Sequence, residues 1–170
     1  MDINEIRLIA TDADGVLTNG KIIYDAAGRQ TKPFSVKDGM AFNLLRISGL
    51  KSVIISGKTT GILTKRMADI NVDYVFENVK DKIKILNCFC KRHNIKISQV
   101  CYMGDDITDI PVLRQVGFSV APRDACEDVK KIGRVIVGKK AGEGAFRECV
   151  EIVLRGQRKW EKTLKNYLQF

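Results

Sequence analysis

The chain has 170 residues, 45% of them hydrophobic, which is enough for one domain with its own core and too apolar for a disordered chain. No apolar run approaches the roughly 18 residues of a membrane span, and the N-terminus lacks the charged and apolar regions of a signal peptide, so the sequence predicts a cytoplasmic protein with no membrane contact. The net charge of +9 is spread along the chain without aromatic interleaving, even in the densest stretch from Lys130 to Lys140, which argues against nucleic acid and for a field that attracts a small anionic substrate.

The first apolar run, Arg7–Thr11, reads as a buried strand. It ends on Asp12-Ala13-Asp14-Gly15. Residues 20–36 read as a β-hairpin, with Lys21–Tyr24 and Arg29–Phe34 joined by the turn Asp25-Ala26-Ala27-Gly28. From there apolar and amphipathic stretches alternate. Helices are predicted over 39–48, 60–70, 80–93, 107–115, 124–132 and 143–155, and strands over Ser52–Ser56, Tyr74–Phe76, Val100–Met103, Ser119–Ala121 and Val135–Val137. This rhythm predicts an α/β fold, a doubly wound parallel sheet, in a single domain spanning residues 1–170. The segment 157–170 is a basic amphipathic tail carrying Trp160, Leu164, Tyr167 and Leu168, read either as a frayed end or as a helix docked on a neighbouring subunit. Five cysteines form no CxxC pair, and their odd number suits free thiols in a reducing compartment.

The chemistry sits where strands run out, the place at which open α/β sheets bind ligands. A buried strand offers no solvent for a charge, so Asp12 and Asp14 at such an end need a metal or a transferred group. After the next core strand comes Ser56-Gly57-Lys58-Thr59, where a hydroxyl and free backbone N–H groups can hold a phosphate oxygen. Lys82 opens the helix predicted over 80–93 and can neutralise phosphate charge. After Val100–Met103 come Asp105, Asp106 and Asp109, three acids within five residues. Hard oxygen ligands of this kind suit Mg²⁺; helix capping by Asp105 or Asp106 is the alternative use.

The order Asp-x-Asp-Gly-Val-x-Thr, Ser at a strand end, Lys, then Gly-Asp-Asp-x-x-x-Asp resembles the four motifs of the haloacid dehalogenase (HAD) phosphohydrolases along essentially the whole chain. Gly15–Gly20, Val36–Gly39, Arg66-Met67, Gly104–Asp109 and Gly142–Glu148 further resemble the 3-deoxy-D-manno-octulosonate 8-phosphate (KDO-8-phosphate) phosphatases. Related groups are the phosphatases of 2-keto-3-deoxynononate 9-phosphate and N-acylneuraminate 9-phosphate, and the phosphatase-like domain of some sialic acid cytidylyltransferases.

The resemblance implies a HAD-like, Rossmann-like sheet with the hairpin as its insertion and no cap domain. It implies Asp12 as nucleophile forming an aspartyl-phosphate, and Asp14 as acid and then base. Mg²⁺ would be held by the Asp12 carboxylate, the Asp14 backbone carbonyl and Asp105. Ser56, the Gly57 N–H and Lys82 would hold phosphoryl oxygens, with Asp106 and Asp109 in the outer shell. A site that its own chain does not close implies a homotetramer, in which Arg66, and Arg147 with the tail, reach a neighbour's substrate. The substrate implied is a small anionic sugar keto-acid phosphate. Lys58, standing where the eight-carbon enzymes tend to carry Arg, and Val36–Gly39 favour KDO-8-phosphate over the nine-carbon substrates. The alternative of another class, a non-catalytic domain that only assembles tetramers, would have lost Asp12, Asp14, Lys82 or Asp105.

Three other patterns lead nowhere. Gly57-Lys58-Thr59 follows a strand as in a P-loop, but Ser52 stands where the first glycine of that motif belongs. Cys149 and Arg155 have cysteine-phosphatase spacing across a helical stretch with no glycine to shape an anion cradle. A receiver domain would carry its phospho-accepting Asp where Ser56 stands.

Overall fold

Strand runs without a polar face require helices on both sides of their sheet, and this is the arrangement in the computed structural model, which describes residues 2–169. The elements in chain order are β1 (Leu8–Thr11), β2 (Ile23–Tyr24), β3 (Gln30–Thr31), α1 (Val36–Ser48), β4 (Lys51–Ile55), α2 (Gly61–Asp69), β5 (Tyr74–Phe76), α3 (Lys82–Arg92), β6 (Val100–Met103), α4 (Ile110–Leu113), β7 (Phe118–Ala121), α5 (Glu127–Ile132), β8 (Val135–Ile136), α6 (Ala145–Gly156) and α7 (Trp160–Leu168). Six strands form an all-parallel sheet in the order β5-β4-β1-β6-β7-β8, while β2 and β3 pair antiparallel as a separate hairpin.

Alternation along the strands divides the core in two. Ile9, Ile54, Cys101 and Met103 face one layer with Phe42, Phe146, Val150 and Leu154 of α1 and α6. Leu8, Ala10, Val53, Ile55, Val100 and Tyr102 face the other, with Leu86 and Phe89 of α3 and Val129 of α5. The rings of Phe42 and Phe146 stack at 4.7 Å between α1 and α6. Asp38 joins the same two helices: its buried carboxylate accepts the Gly144 N–H (3.1 Å) and the Arg147 N–H (2.9 Å), supplying the cap that α6, which starts after Gly144, lacks in its own sequence.

The chain visits β4 and β5 on one side of β1 and then crosses to β6 on the other, so the strand order reverses around β1. Three strand ends open together at that switch point. Among the described residues only the hairpin stands between β1 and α1, and no further domain covers this edge of the sheet.

Differences from expectation lie at element ends. The helix predicted from 39 begins at Val36, because Ser35 caps it by accepting the Asp38 N–H. The stretch predicted as one helix over 107–115 is a 3-10 turn, Ile107–Asp109, followed by the four-residue α4, since Asp106 and Asp109 cap the turn and Pro111 enters at the first turn of α4. The tail is a helix and not a frayed end. Its helix α7 packs on its own chain, burying Trp160 and Thr163, with Leu164 against the α1–α6 layer and the Trp160 ring facing the guanidinium of Arg155 at 4.6 Å. The tail's last residue, Phe170, lies outside the described residues.

Candidate active site

Asp12 follows β1 directly, and its N–H donates to the Met103 carbonyl at 3.0 Å, so the backbone that carries the carboxylate is stitched to β6. Gly15 then turns the chain with φ +83°, a conformation that favours glycine. A Cβ at Gly15 would collide with the Asp105 carboxylate, so this glycine also gives Asp105 its room. Ser56 sits one residue past β4, 2% exposed, its hydroxyl donating to the Lys58 carbonyl (2.9 Å) and accepting the Lys58 N–H (3.3 Å). Lys82 is the first residue of α3, and Asp105 lies two residues past β6.

These side chains meet in one cleft of about 400 Å³, lined by Asp12, Asp14, Ser56, Gly57, Lys58, Lys82, Asp105 and Asp106. Lys82 Nζ lies 2.7 Å from Asp109 Oδ1 and 3.1 Å from Asp12 Oδ1. Burial alone would pull the Lys82 ammonium down, but the charges of Asp12 and Asp109 outweigh it and hold the group above its usual value. Burial, together with the charge of Asp109, pushes Asp12 up to about 6 against the opposing pull of Lys82. Burial, and then the charges of Asp12, Asp109 and Asp106, push Asp105 up to about 8.

The residues fit a divalent cation. Asp12, Asp105 and Asp109 each bring a carboxylate oxygen within 4.8 Å of the others. Of the three, Asp109 already has its oxygens occupied: Oδ1 accepts the Tyr102 hydroxyl (2.6 Å) and Lys82, and Oδ2 accepts the N–H groups of Asp105 (3.1 Å) and Asp106 (3.5 Å). Asp105 Oδ1, by contrast, is buried with no hydrogen-bond partner. A buried, repelled carboxylate oxygen facing a second carboxylate is the donor set that Mg²⁺ satisfies. Asp109 therefore orders its neighbours rather than offering a free oxygen, and Asp106 caps the 3-10 turn by accepting the Ile107 N–H at 2.8 Å.

Arg66 and Arg147 do not line this cleft. Arg66 lies against Gly39 beside Phe34 and Met67, and Arg147 is engaged with Glu151 (Nε to Oε1, 2.7 Å) and the Trp160 ring. Sequence reasoning missed three contributors. Tyr102 carries the hydroxyl that holds Asp109, and a tyrosine inside an otherwise apolar strand was the signal, because its buried O–H needs a partner. Lys80 lines the mouth beside Lys58. Lys32, from the hairpin, places its Nζ 2.7 Å from both Asp14 oxygens.

The model of the haloacid dehalogenase-like hydrolases matches residues 62–148. Over 157 residues the chain is 33% identical to the KDO-8-phosphate phosphatase of Haemophilus influenzae, covering 92% of this chain and 87% of that one. A crystal structure of the KDO-8-phosphate phosphatase of Moraxella catarrhalis in complex with magnesium, phosphate and KDO superposes with a TM-score of 0.92 at 31% identity, over 97% of this chain and 95% of that one. The cobalt-bound Haemophilus influenzae enzyme gives 0.88 at 33% identity, over 94% and 93% of the two chains. Likeness of this extent, with an uncapped parallel sheet and its acids at the strand ends, makes the chain a haloacid dehalogenase-like hydrolase, in the branch that holds the KDO-8-phosphate phosphatases.

Proposed function

We propose that this chain hydrolyses the sugar keto-acid phosphate KDO-8-phosphate to KDO and inorganic phosphate, as a single uncapped domain. The observation that carries the reading is the convergence of Asp12, Asp14, Ser56, Lys82 and Asp105 on one cleft, in a chain similar along nearly its full length to a phosphatase crystallised with magnesium, phosphate and KDO.

In this mechanism an Asp12 oxygen attacks phosphorus while the bond to the sugar oxygen breaks, and Asp14 hands its proton to the departing alkoxide. Water then attacks the aspartyl-phosphate and gives its proton to Asp14, which frees phosphate and restores the Asp12 carboxylate. Two acids are needed because one group cannot be nucleophile and proton donor in the same step. Lys82 reaches Asp12 and so stands where it can hold a phosphoryl oxygen beside the nucleophile. The Ser56 hydroxyl and the Gly57 N–H serve the remaining oxygens once the hydroxyl turns from the Lys58 carbonyl. Mg²⁺ would be held by the carboxylates of Asp12 and Asp105 and the backbone carbonyl of Asp14, and would supply screening between a carboxylate nucleophile and a phosphate dianion. Lys58 and Lys80 at the mouth offer two exposed cations to the carboxylate of the sugar acid.

Phosphate release from KDO-8-phosphate and from the nine-carbon keto-acid 9-phosphates, each with Mg²⁺ and with Asp12→Asn as control, tests the reading. The expected result is a clear kcat/KM preference for KDO-8-phosphate that vanishes in the mutant. Preference for a nine-carbon substrate would overturn the substrate and keep the mechanism. No release from any of them would leave an assembly domain.

The open cleft also supports a homotetramer. The hairpin presents Ile23 (50% exposed) and Tyr24 (65%) to solvent, an apolar pair that a second copy would cover, and Arg66 would then reach a neighbouring cleft. Arg147, already paired within its chain, needs to release Glu151 to do the same. Sedimentation equilibrium checks the assembly; an active monomer would remove it. The five free cysteines favour a reducing, cytoplasmic setting.

A further inference from the structure

The hairpin is built to deliver one side chain. Its turn is locked by Asp25, which accepts the N–H groups of Ala27 and Arg29 (both 2.9 Å) and pairs with the Arg29 guanidinium at 2.7 Å. Gln30 and Thr31 pair with Tyr24 and Ile23, and Pro33 then restricts the preceding residue, Lys32, to an extended backbone. Extended geometry sends Lys32 to the face opposite Thr31, back toward the cleft. Although its neighbours are exposed, the Lys32 side chain is only 3% exposed. A lysine gives up more rotamer freedom on burial than almost any other residue, so a buried one needs a specific partner.

That partner is Asp14. Lys32 Nζ donates to Oδ1 and to Oδ2, each at 2.7 Å, which fixes the plane of the carboxyl group as well as its position. Among the described residues the only other side-chain hydrogen bond to Asp14 is a long one, 3.4 Å, from Thr18 Oγ1. Asp14 is followed by Gly15 and its carboxyl is one-third exposed, so little else limits its rotamers.

We propose that Lys32 is the positioning residue for Asp14, holding the carboxyl that exchanges a proton with the leaving group from a hairpin outside the four sequence motifs. The inference rests on the acid–base reading of Asp14 given above. It gives the hairpin a task inside its own subunit, separate from contacts with a neighbour. Lys32 takes no part in bond making; it acts through the orientation of Asp14.

The test is the dependence of kcat/KM on the leaving group, since this ratio covers the steps through departure of the alcohol. Substituted phenyl phosphates, from p-nitrophenyl phosphate to phenyl phosphate, bind alike and differ in how much their leaving oxygen needs a proton. They are compared, with KDO-8-phosphate, for the wild-type protein, Lys32→Met, Lys32→Arg and Asp14→Asn, each with Mg²⁺. In Lys32→Met the ratio of phenyl to p-nitrophenyl phosphate turnover should fall about tenfold, with KDO-8-phosphate losing about 10- to 100-fold, as expected for a misplaced general acid. Lys32→Arg, which can still donate to both oxygens, should recover most of the loss. Lys32→Gln gives the same reading should the methionine variant fail to fold. A parallel loss across all phenyl phosphates in the Lys32 variants, with the selective loss kept in Asp14→Asn, would overturn the proposal alone. A parallel loss in Asp14→Asn as well would overturn the acid–base reading beneath it.

Discussion

Tyr102→Phe removes one oxygen atom from a fully buried ring and tests whether the site is held from beneath. The Tyr102 hydroxyl donates to Asp109 Oδ1 at 2.6 Å, and the same oxygen accepts Lys82 Nζ at 2.7 Å. Burial first, and then the charges of Asp109 and Asp12, hold the Tyr102 phenol well above its usual pKa, so it remains a donor at every working pH. A hydrogen bond to a charged group contributes about 1.5–3 kcal/mol. Asp109 keeps Lys82 and the two N–H groups on Oδ2, so it is not orphaned, and the ring still fills its space. The loss should therefore fall near the middle of that range, ~2 kcal/mol. With one donor gone, Lys82 is drawn toward Asp109 and away from Asp12, which should lower kcat about tenfold, a shift of ~1.4 kcal/mol in the barrier. Urea unfolding followed by fluorescence of Trp160, the single tryptophan, reads the first effect, and KDO-8-phosphate turnover reads the second. A variant as stable and as active as the wild type would refute the idea that this phenol holds the Asp109–Lys82 pair.

Gly15→Ala should abolish the response to Mg²⁺ in titration calorimetry, because its Cβ would occupy the place of the Asp105 carboxylate and its φ of +83° disfavours any side chain. Metal removal should expose a pH dependence of stability. Asp12, at about 6, and Asp105, at about 8, lie above the unfolded value of 3.8, so the folded state binds more protons between 3.8 and those limits, and stability fully present below 3.8 is lost as pH rises from there through 6, where Asp12 levels off, to 8, where Asp105 does. In chelator the melting temperature should fall over that interval, and saturating Mg²⁺ should remove the fall; parallel curves with and without metal would contradict the assignment. Asp38→Asn replaces one of the two oxygens that accept the Gly144 and Arg147 N–H groups with an NH2 donor, leaving one of those groups without an acceptor, and should cost about 1–3 kcal/mol in chemical denaturation, with kcat unchanged because Asp38 lies outside the cleft.

The central strands β1, β4, β6 and β7 were legible because they are buried almost throughout, so each reads as a largely apolar run whose type does not depend on its partners. Helix starts were less so. Capped by Ser35, α1 begins three residues ahead of the apolar periodicity, and Asp106 and Asp109 turn a stretch with helical character into a 3-10 turn before Pro111. The tail left its packing partner open for a different reason. Its amphipathic face was evident, but its partner lies on α1 and α6, and pattern alone does not say whether such a face meets its own chain or another.

Within the site, legibility followed the cost of burying charge. Asp12 and Asp105 stood out because a carboxylate at the end of an apolar strand is expensive unless it has a use. Lys32 was silent because a lysine in a short polar hairpin looks like any solvated lysine, and only the fold reveals that its side chain is buried against Asp14. Overall charge hid the acidic centre in a similar way. The chain carries +9, yet at its centre three carboxylates bring an oxygen within 4.8 Å of one another, and the ammonium of Lys82 pairs with only two of them, Asp12 and Asp109. The surplus positive charge therefore does not neutralise these acids, and the buried, unpartnered oxygen of Asp105 is where that deficit collects. A basic surface that gathers anionic substrate around an acidic centre that cannot receive it unaided is the physical reason the reaction calls for a divalent cation.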